Sequence, residues 1–243
     1  MRFLIGVDDT DNLESRGTGH CIRLMAEAVK AAGLARPEGI TRHQLLVSPE
    51  IPYTSHNSSA CLATECDDGQ EQALWEFCSD FLRHESAPGS DAGLCLAAWD
   101  SVPAVARDFG RRAKVEVLNQ AEAGAVARQA HLRLAGLTGT GLGVIGALAA
   151  VGLRAGGNDG RFLWLPGLRE LNGVYTVAKL QQLAHIDVVC TLEGNMLSSE
   201  MQVDVGDWVR PVQRNGQAIL LVEEKNKNVW RILPKEAIKD QSK

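Results

Sequence analysis

The chain of 243 residues lacks three features that each define a class of protein. Its six cysteines form no C-x-x-C pair, so neither a zinc ribbon nor a thioredoxin-type motif is predicted. Its longest apolar run, 142–153, has 12 residues, fewer than the roughly 20 that span a bilayer. It also lacks excess positive charge, since 25 Lys and Arg stand against 30 Asp and Glu. These absences argue against a sulfur-bound metal, a membrane anchor and a surface that binds nucleic acid over its whole extent.

The N-terminal residues do not have the pattern of a secretory leader. The apolar stretch from Phe3 ends at Val7 and is followed at once by Asp8 and Asp9, which is too short for a signal peptide. We therefore expect a reducing, cytoplasmic setting without a membrane partner. With 45% hydrophobic and 23% charged residues, the composition is that of a globular protein with a packed core.

Short strands alternate with amphipathic helices along the chain, which predicts an α+β (mixed α/β) fold. Pro37 and Gly39 predict a turn. The Asn215-Gly216 pair between apolar runs predicts a small C-terminal β-hairpin. The predicted helices cover 21–32, 71–82, 102–109, 120–134, 143–153 and 176–183, and the predicted strands cover 3–7, 44–47, 59–64, 93–98, 115–118, 162–165 and 186–192.

An acidic loop follows the first predicted strand. It contains Asp8, Asp9 and Asp11 within four residues. Magnesium takes oxygen ligands, usually one or two carboxylates together with water and nucleotide phosphates. Carboxylates this close repel one another, and a bound cation relieves the repulsion. We predict that the three aspartates bind Mg²⁺, with the capping of turns and helix ends as the alternative.

Glycines follow the acidic loop at the start of the next predicted helix. Gly17 and Gly19 flank Thr18 there. Backbone N–H groups at a helix N-terminus can approach an anion, and the helix dipole favours its negative charge. We predict that these three residues, with Thr10 of the loop, bind the phosphates of ATP, since phosphoryl transfer depends mainly on positioning and charge stabilisation.

Four segments occur in the same order as in one known family. Residues 6–11, Gly-Val-Asp-Asp-Thr-Asp, match the signature Gly-x-Asp-Asp-Thr-Asp. Residues 46–53, Leu-Val-Ser-Pro-Glu-Ile-Pro-Tyr, resemble Leu-Asn-Pro-Asn-Ile-Pro-Trp, and Pro88-Gly89 lies where a Thr-Asn-Pro-Gly loop would fall. Residues 143–150, Gly-Val-Ile-Gly-Ala-Leu-Ala-Ala, match Gly-Ile-Ile-Gly-Ala-Leu-Ala-Ala-Ile. In these motifs the chain resembles the archaeal tRNA isoleucine 2-agmatinylcytidine synthetase family.

The resemblance implies a domain organisation. A kinase-like α/β domain over 1–112 would bind ATP and Mg²⁺ through the acidic loop. A ferredoxin-like domain over 113–195 would bind agmatine or another small ligand, and 196–243 would form the hairpin and a basic tail. The resemblance also places Gly143 and Gly146 in the small-ligand pocket. From the residues alone, the G-x-G-x-x-G pattern of 141–146 is typical either of dinucleotide binding or of close packing of a helix on a sheet.

The chain also departs from the family's pattern. We expect neither the OB-fold nor the zinc ribbon with which the family binds tRNA. His20 stands where the family has a phosphate-handling threonine, and we assign it a catalytic role. Residues 54–59 replace a basic Lys-Thr-Arg-Gly-Asn-Gly segment, and their last four members are predicted to bind substrate: His56, Asn57, Ser58 and Ser59.

Together these features predict an ATP- and Mg²⁺-dependent phosphotransferase or ligase that acts on a small polar or nucleoside-type substrate, with an amine such as agmatine as co-substrate. The predicted catalytic residues are Asp8, Asp9, Asp11 and His20. One alternative is a nucleotide or amine sensor without catalysis, which the missing basic segment favours. A third is modification of a tRNA cytidine, with tRNA bound by residues 225–243, whose six Lys and Arg outnumber two acids. Because the rest of the chain is acidic, we expect a small molecule as the partner in preference to nucleic acid.

Overall fold

The computed structural model describes residues 1–52, 56–226 and 229–242, and the chain forms two compact units, Met1–Gly156 and Gly157–Lys243. Helices and strands occur in both units, so the predicted α+β class is confirmed. The division differs from the predicted boundaries after residues 112 and 195. Residues 113–156 pack within the first unit and 157–195 within the second, because each segment adds helices and strands to the core of that unit.

The first unit contains five strands and five α-helices among the described residues. In chain order these are β1 (Arg2–Asp8), α1 (Thr18–Ala31), β2 (Arg36–Gln44), β3 (Ser58–Glu65), α2 (Glu71–Glu85), β4 (Gly93–Ala98), α3 (Ala104–Arg112), α4 (Gln120–Gln129), β5 (Arg133–Gly136) and α5 (Val144–Gly156).

The five strands of this unit pair in the order β5-β4-β1-β3-β2, and every pairing is antiparallel. The elements from β1 to β4 follow the β-α-β-β-α-β order of a ferredoxin-like fold. That order therefore lies in residues 2–98, inside the range predicted to be kinase-like, and not in 113–195. Residues 113–156 instead supply the edge strand β5 and the packed helix α5 to the same sheet.

Helix α5 packs directly on the sheet because glycines replace side chains at the contact. Gly6 of β1 faces the Ala147 carbonyl, and Gly93 of β4 faces the backbone of Gly143. A Cβ atom at either strand glycine would overlap those backbone atoms. The G-x-G-x-x-G pattern thus serves close helix–sheet packing, which is one of the two interpretations offered by the sequence.

Several predicted elements differ from those observed. The predicted helix 120–134 ends at Gln129, and the strand β5 follows it. Residues 115–118 are not a strand, and Val115 in them is 72% exposed. Pro37 and Gly39 lie inside β2, where the pairing with β3 shifts register, so the predicted turn is a bulge.

The second unit is rich in short strands. Its elements are β6 (Arg161–Trp164), β7 (Val174–Thr176), α6 (Val177–Ala184), β8 (Val188–Cys190), β9 (Gln202–Asp204), β10 (Val212–Arg214), β11 (Gln217–Asn226), β12 (Val229–Ile232) and α7 (Lys235–Gln241). The turn between β10 and β11 has φ of 51° at Asn215 and 77° at Gly216, as the Asn-Gly pair predicts. This hairpin shares a core with β6 and α6, so it is a part of the unit rather than an appendage. None of the described helices is long and apolar enough to cross a membrane.

Candidate functional site

A cleft of about 850 Å³, open solvent included, lies in the first unit at the end of β1. Its polar lining includes five carboxylates, and its remaining wall is largely apolar. The lining residues are Asp8, Asp9, Asp11, Thr18, Leu45, Glu50, Ile51, Pro52, His56, Asn57, Ser58, Ala113, Glu116, Val117, Leu118, Leu142, Gly143, Ile145 and Gly146. A concave site that combines apolar walls with polar groups is the usual form of a small-molecule site, and the number of carboxylates here makes this one strongly acidic.

The cleft brings together most of the residues that the sequence singled out. Nine of them line it: Asp8, Asp9, Asp11, Thr18, His56, Asn57, Ser58, Gly143 and Gly146. Five do not: Thr10 and Ser59 are buried, Gly17 is exposed, and Gly19 and His20 are half-buried on α1. Tyr53, Thr54 and Ser55 of the quoted motifs lie outside the described residues.

Asp8 is the last residue of β1, and its carboxylate lies against the first turn of α5. The contact is at Gly146, where a Cβ atom would overlap the Asp8 carboxylate. Burial, with a smaller contribution from the charges of Asp9 and Asp11, raises the pKa of Asp8 to about 8. This carboxyl group therefore binds a proton at neutral pH unless a cation or another favourable contact offsets its burial.

Asp9 has an unusual backbone conformation for a residue with a side chain. Its φ is 55°, in the left-handed region that Asp tolerates better than most residues. Burial, together with the charges of Asp91 and Asp11, raises the pKa of Asp9 to about 6. No sequence signal pointed to Asp91, which precedes β4 and accepts a hydrogen bond from the Thr140 N–H.

Asp11 connects the acidic loop to α1. Its Oδ1 accepts hydrogen bonds from Thr18 N (3.2 Å) and Thr18 Oγ1 (2.9 Å) at the first turn of the helix. Thr10 N and Thr10 Oγ1 in turn donate to Thr18 Oγ1 at 3.3 and 3.2 Å. The capping role that was the alternative for these aspartates therefore applies to Asp11, while Asp8 and Asp9 do not take part in it.

Arg42 of β2 brings a positive charge to this acidic region, and the sequence did not single it out. Its Nε donates to Ser58 Oγ at 2.9 Å. Burial lowers the pKa of Arg42, and the nearby charges of Asp11 and Asp8 oppose that shift. A guanidinium remains charged at physiological pH despite such a shift. Arg42 thus supplies a cation near the aspartates, in a chain where residues 54–59 replace the family's basic segment.

His20 lies in the first turn of α1 and does not line the cleft. Its Nδ1 is 3.3 Å from Arg23 Nη2. Its partial burial and the charges of Arg16 and Arg23 lower its pKa. A lowered pKa favours the neutral imidazole, but His20 is not among the residues that line the cleft.

The donor set fits a magnesium–nucleotide complex better than a resident metal. Among the described residues, no three His, Cys, Asp or Glu side chains converge as a ligand group. A structural metal needs such a group, whereas magnesium bound with a nucleotide usually takes one or two carboxylates from the protein. Asp8 and Asp9, half-buried carboxylates with raised pKa values, suit the second case.

Comparison with known proteins extends the resemblance read from the motifs. No family model matches the chain. Over 156 residues, it is 31% identical to TiaS, the 2-agmatinylcytidine synthetase of an isoleucine tRNA, from Pyrobaculum neutrophilum. The resemblance to the agmatinylcytidine synthetases is confirmed. The alignment covers 63% of this chain and 35% of that enzyme, so the chain spans about a third of its relative's length.

Two solved structures of TiaS resemble the chain to a similar extent. The complex of TiaS with its isoleucine tRNA and ATP has a TM-score of 0.55 and 27% identity, over 63% of this chain and 36% of that one. The complex of TiaS with the same tRNA, AMPCPP and agmatine has a TM-score of 0.54 and 26% identity, over 62% of this chain and 36% of that one. All four quoted motifs lie in the first unit of this chain.

Proposed function

We propose that the cleft binds Mg²⁺ and ATP, and that the chain is an ATP-dependent ligase or phosphotransferase that activates a small polar or nucleoside-type substrate for attack by an amine. The observation that carries this proposal is that Asp8, Asp9 and Asp11 all line one cleft beside the start of α1. Solved relatives that contain ATP, or AMPCPP with agmatine, support it.

Each polar residue of the cleft has a distinct part in this proposal. Asp8 and Asp9 hold the magnesium ion, which when bound neutralises phosphate charge. Asp11 orients Thr18 through the two hydrogen bonds to Oδ1, and so fixes the first turn of α1 beside the phosphates. Arg42 offsets the negative charge of the aspartates and, through Ser58, orders the substrate side of the cleft. His20 has no part in it, because it does not line the cleft.

An aliphatic amine matches the far wall of the cleft. Glu50 and Glu116, the latter paired with Arg112 at 2.7 Å, are carboxylates of the lining, and Val117, Leu118 and Ile145 are among its apolar side chains. A cationic group is attracted to carboxylates, while an alkyl chain gains by burial against apolar surface. Agmatine, the amine in a solved relative, combines both features.

The acceptor for this amine is a nucleoside-type group, and a tRNA is the form that the solved relatives hold. The C-terminal tail gives little support as the tRNA contact. Its cations Lys225 and Arg231 pair with Asp204 and Glu223 at 3.0 and 2.8 Å. Cations already paired with acids release fewer counterions on binding phosphate, so these two side chains should add little to affinity for tRNA.

The direct test is a product analysis. Purified protein is incubated with ATP, Mg²⁺ and a panel of amines that includes agmatine, with and without tRNA, and the nucleotides are separated by chromatography. We expect ADP or AMP to form with the wild type and to be lost in Asp9→Asn. Asp80→Asn is the matched control, because Asp80 is exposed on α2 and pairs with Arg83 one turn away. A fully active Asp9→Asn variant would refute the assignment.

A sensor that binds nucleotide or amine without turnover is the second candidate. The position of His20 favours it, since the residue in the place of the family's phosphate-handling threonine is not among those that line the cleft. This candidate predicts saturable binding of ATP without product in any mixture of the panel. Multiple turnover by the wild type would exclude it.

A further inference from the structure

Strand register brings a serine beside Asp8 on the face of the sheet that α5 covers. Gly6 pairs with Cys61 and Val7 with Ala60 across β1 and β3. The pairing ends at Val7 and Ala60, and the next residue of each strand is Asp8 in β1 and Ser59 in β3, so these two follow directly on the last pair. Side chains two residues apart share one face of a sheet, so Ser59 lies on the same face as Cys61 and Asp8 on the same face as Gly6.

The burial of Ser59 is unusual for a serine that was predicted to bind substrate. It is fully buried, and its Oγ has no hydrogen-bond partner among the described residues. On its other side it pairs with His43, another fully buried residue, whose Nε2 lies 2.8 Å from Thr41 Oγ1. A buried hydroxyl without a partner carries a desolvation cost, which a bond formed in another state of the site would remove.

Asp8 is the neighbouring group that can accept such a bond. Opposite residues of antiparallel strands have Cβ atoms about 4.5–5.5 Å apart, so rotation of the serine side chain brings its hydroxyl within reach of the carboxylate. Outer residues that hydrogen-bond to a metal-binding carboxylate fix its orientation. Ser59 has the burial and the hydroxyl for this task, and it does not line the cleft.

We propose that Ser59 is a positioning residue for Asp8, whose hydroxyl donates a hydrogen bond to the Asp8 carboxylate when that group holds the cation of a magnesium–nucleotide complex. The inference rests on the proposed function of the cleft. It assigns Ser59 an indirect role, in place of the substrate contact that the sequence predicted.

The test compares ATP affinity by isothermal titration calorimetry in Mg²⁺ and in EDTA, for the full chain and its Ser59→Ala variant. We expect Ser59→Ala to bind ATP about tenfold more weakly in Mg²⁺, the lower end of the usual effect of removing such an outer residue. In EDTA, the two proteins should bind ATP equally. Ser79→Ala is the matched control, because Ser79 is also buried, with its Oγ unpartnered among the described residues, but lies on α2 outside the cleft. It should match the wild type in both buffers.

The outcomes separate the two proposals. If the wild type binds ATP no better in Mg²⁺ than in EDTA, the proposed magnesium site fails, and the role of Ser59 fails with it. If the wild type gains affinity with Mg²⁺ and Ser59→Ala gains as much, only the role of Ser59 is refuted. Equal weakening of Ser59→Ala in both buffers would show a structural defect and also refute the positioning role.

Discussion

Replacing Asp8 by Asn should stabilise the protein at neutral pH. The Asp8 carboxylate is ionised in the unfolded chain, and its burial on folding is unfavourable. Burial raises the pKa of Asp8 from 3.8 to about 8. Between these values the folded state holds a proton that the unfolded state has released, so the free energy of unfolding falls as pH rises through this window. One pKa unit corresponds to about 1.4 kcal/mol, and about three units separate pH 7 from 3.8, which sets an upper limit of about 4 kcal/mol.

The measured gain should be smaller than this limit. Arg42 and the neighbouring backbone can adjust to the charge, and the buried Asn amide has its own desolvation cost. We expect a gain of about 2 kcal/mol at pH 7 that shrinks to about 0.5 kcal/mol or less at pH 4, close to the unfolded-state pKa of 3.8. Asp9, whose pKa is raised to about 6, also makes the free energy of unfolding fall as pH rises. The wild type and Asp8→Asn share this contribution.

Urea unfolding followed by circular dichroism, from pH 4 to pH 8 in EDTA, measures this difference. The chain has two compact units, so the relevant transition is the one that shifts with the substitution. Asp80→Asn, which removes an exposed carboxylate on α2, serves as the control and should change stability by less than about 0.5 kcal/mol at every pH. An Asp8→Asn variant that is less stable than the wild type at pH 7, or whose gain does not depend on pH, would contradict the reasoning.

Two substitutions test the glycine contacts of α5. Gly146→Ala should weaken ATP binding in Mg²⁺ by about tenfold or more, as measured by calorimetry, because the new methyl group overlaps the Asp8 carboxylate. Its control is Gly124→Ala in α4, where the added carbon meets only the movable Arg128 side chain and the helix should gain about 1 kcal/mol in urea unfolding. Gly6→Ala should lower the free energy of unfolding by about 3 kcal/mol, because α5 must move away from the sheet to admit the new methyl group. A loss below about 1 kcal/mol would show that the contact is not so close.

Local sequence signals correctly predicted those helices and turns whose tertiary environment favours the same conformation. The helical spacing over 21–32 corresponds to α1 at Thr18–Ala31, and the Asn-Gly pair corresponds to the turn between β10 and β11. The strand predicted over 115–118 was wrong because α3 ends just before this segment, and Leu118 is the one apolar residue in it that becomes buried. Tertiary packing, which the pattern does not contain, decides such short runs.

The dependence on tertiary packing also explains which residues of the cleft could be predicted from the sequence. The acidic loop is contiguous, so its composition alone pointed to a charged site. Arg42 and Asp91 reach the site only through the pairing of β2 with β3 and of β4 with β1, which places residues far apart in sequence on neighbouring strands. Strand register of this kind depends on which faces are buried, and a single sequence does not state it. The converse case is His20, which is adjacent to the glycines in sequence but is not among the residues that line the cleft.

The two interpretations of Gly143 and Gly146, as packing positions and as pocket residues, describe one contact. A Cβ atom at Gly143 would lie 2.8 Å from the Asp8 carbonyl oxygen, and one at Gly146 would overlap the Asp8 carboxylate. The close approach of α5 to β1 therefore sets the position of Asp8, and it also places the positive end of the helix dipole beside that carboxylate. Since the same backbone contact holds the core and the cleft together, a larger residue at Gly146 should impair ligand binding even where the fold survives.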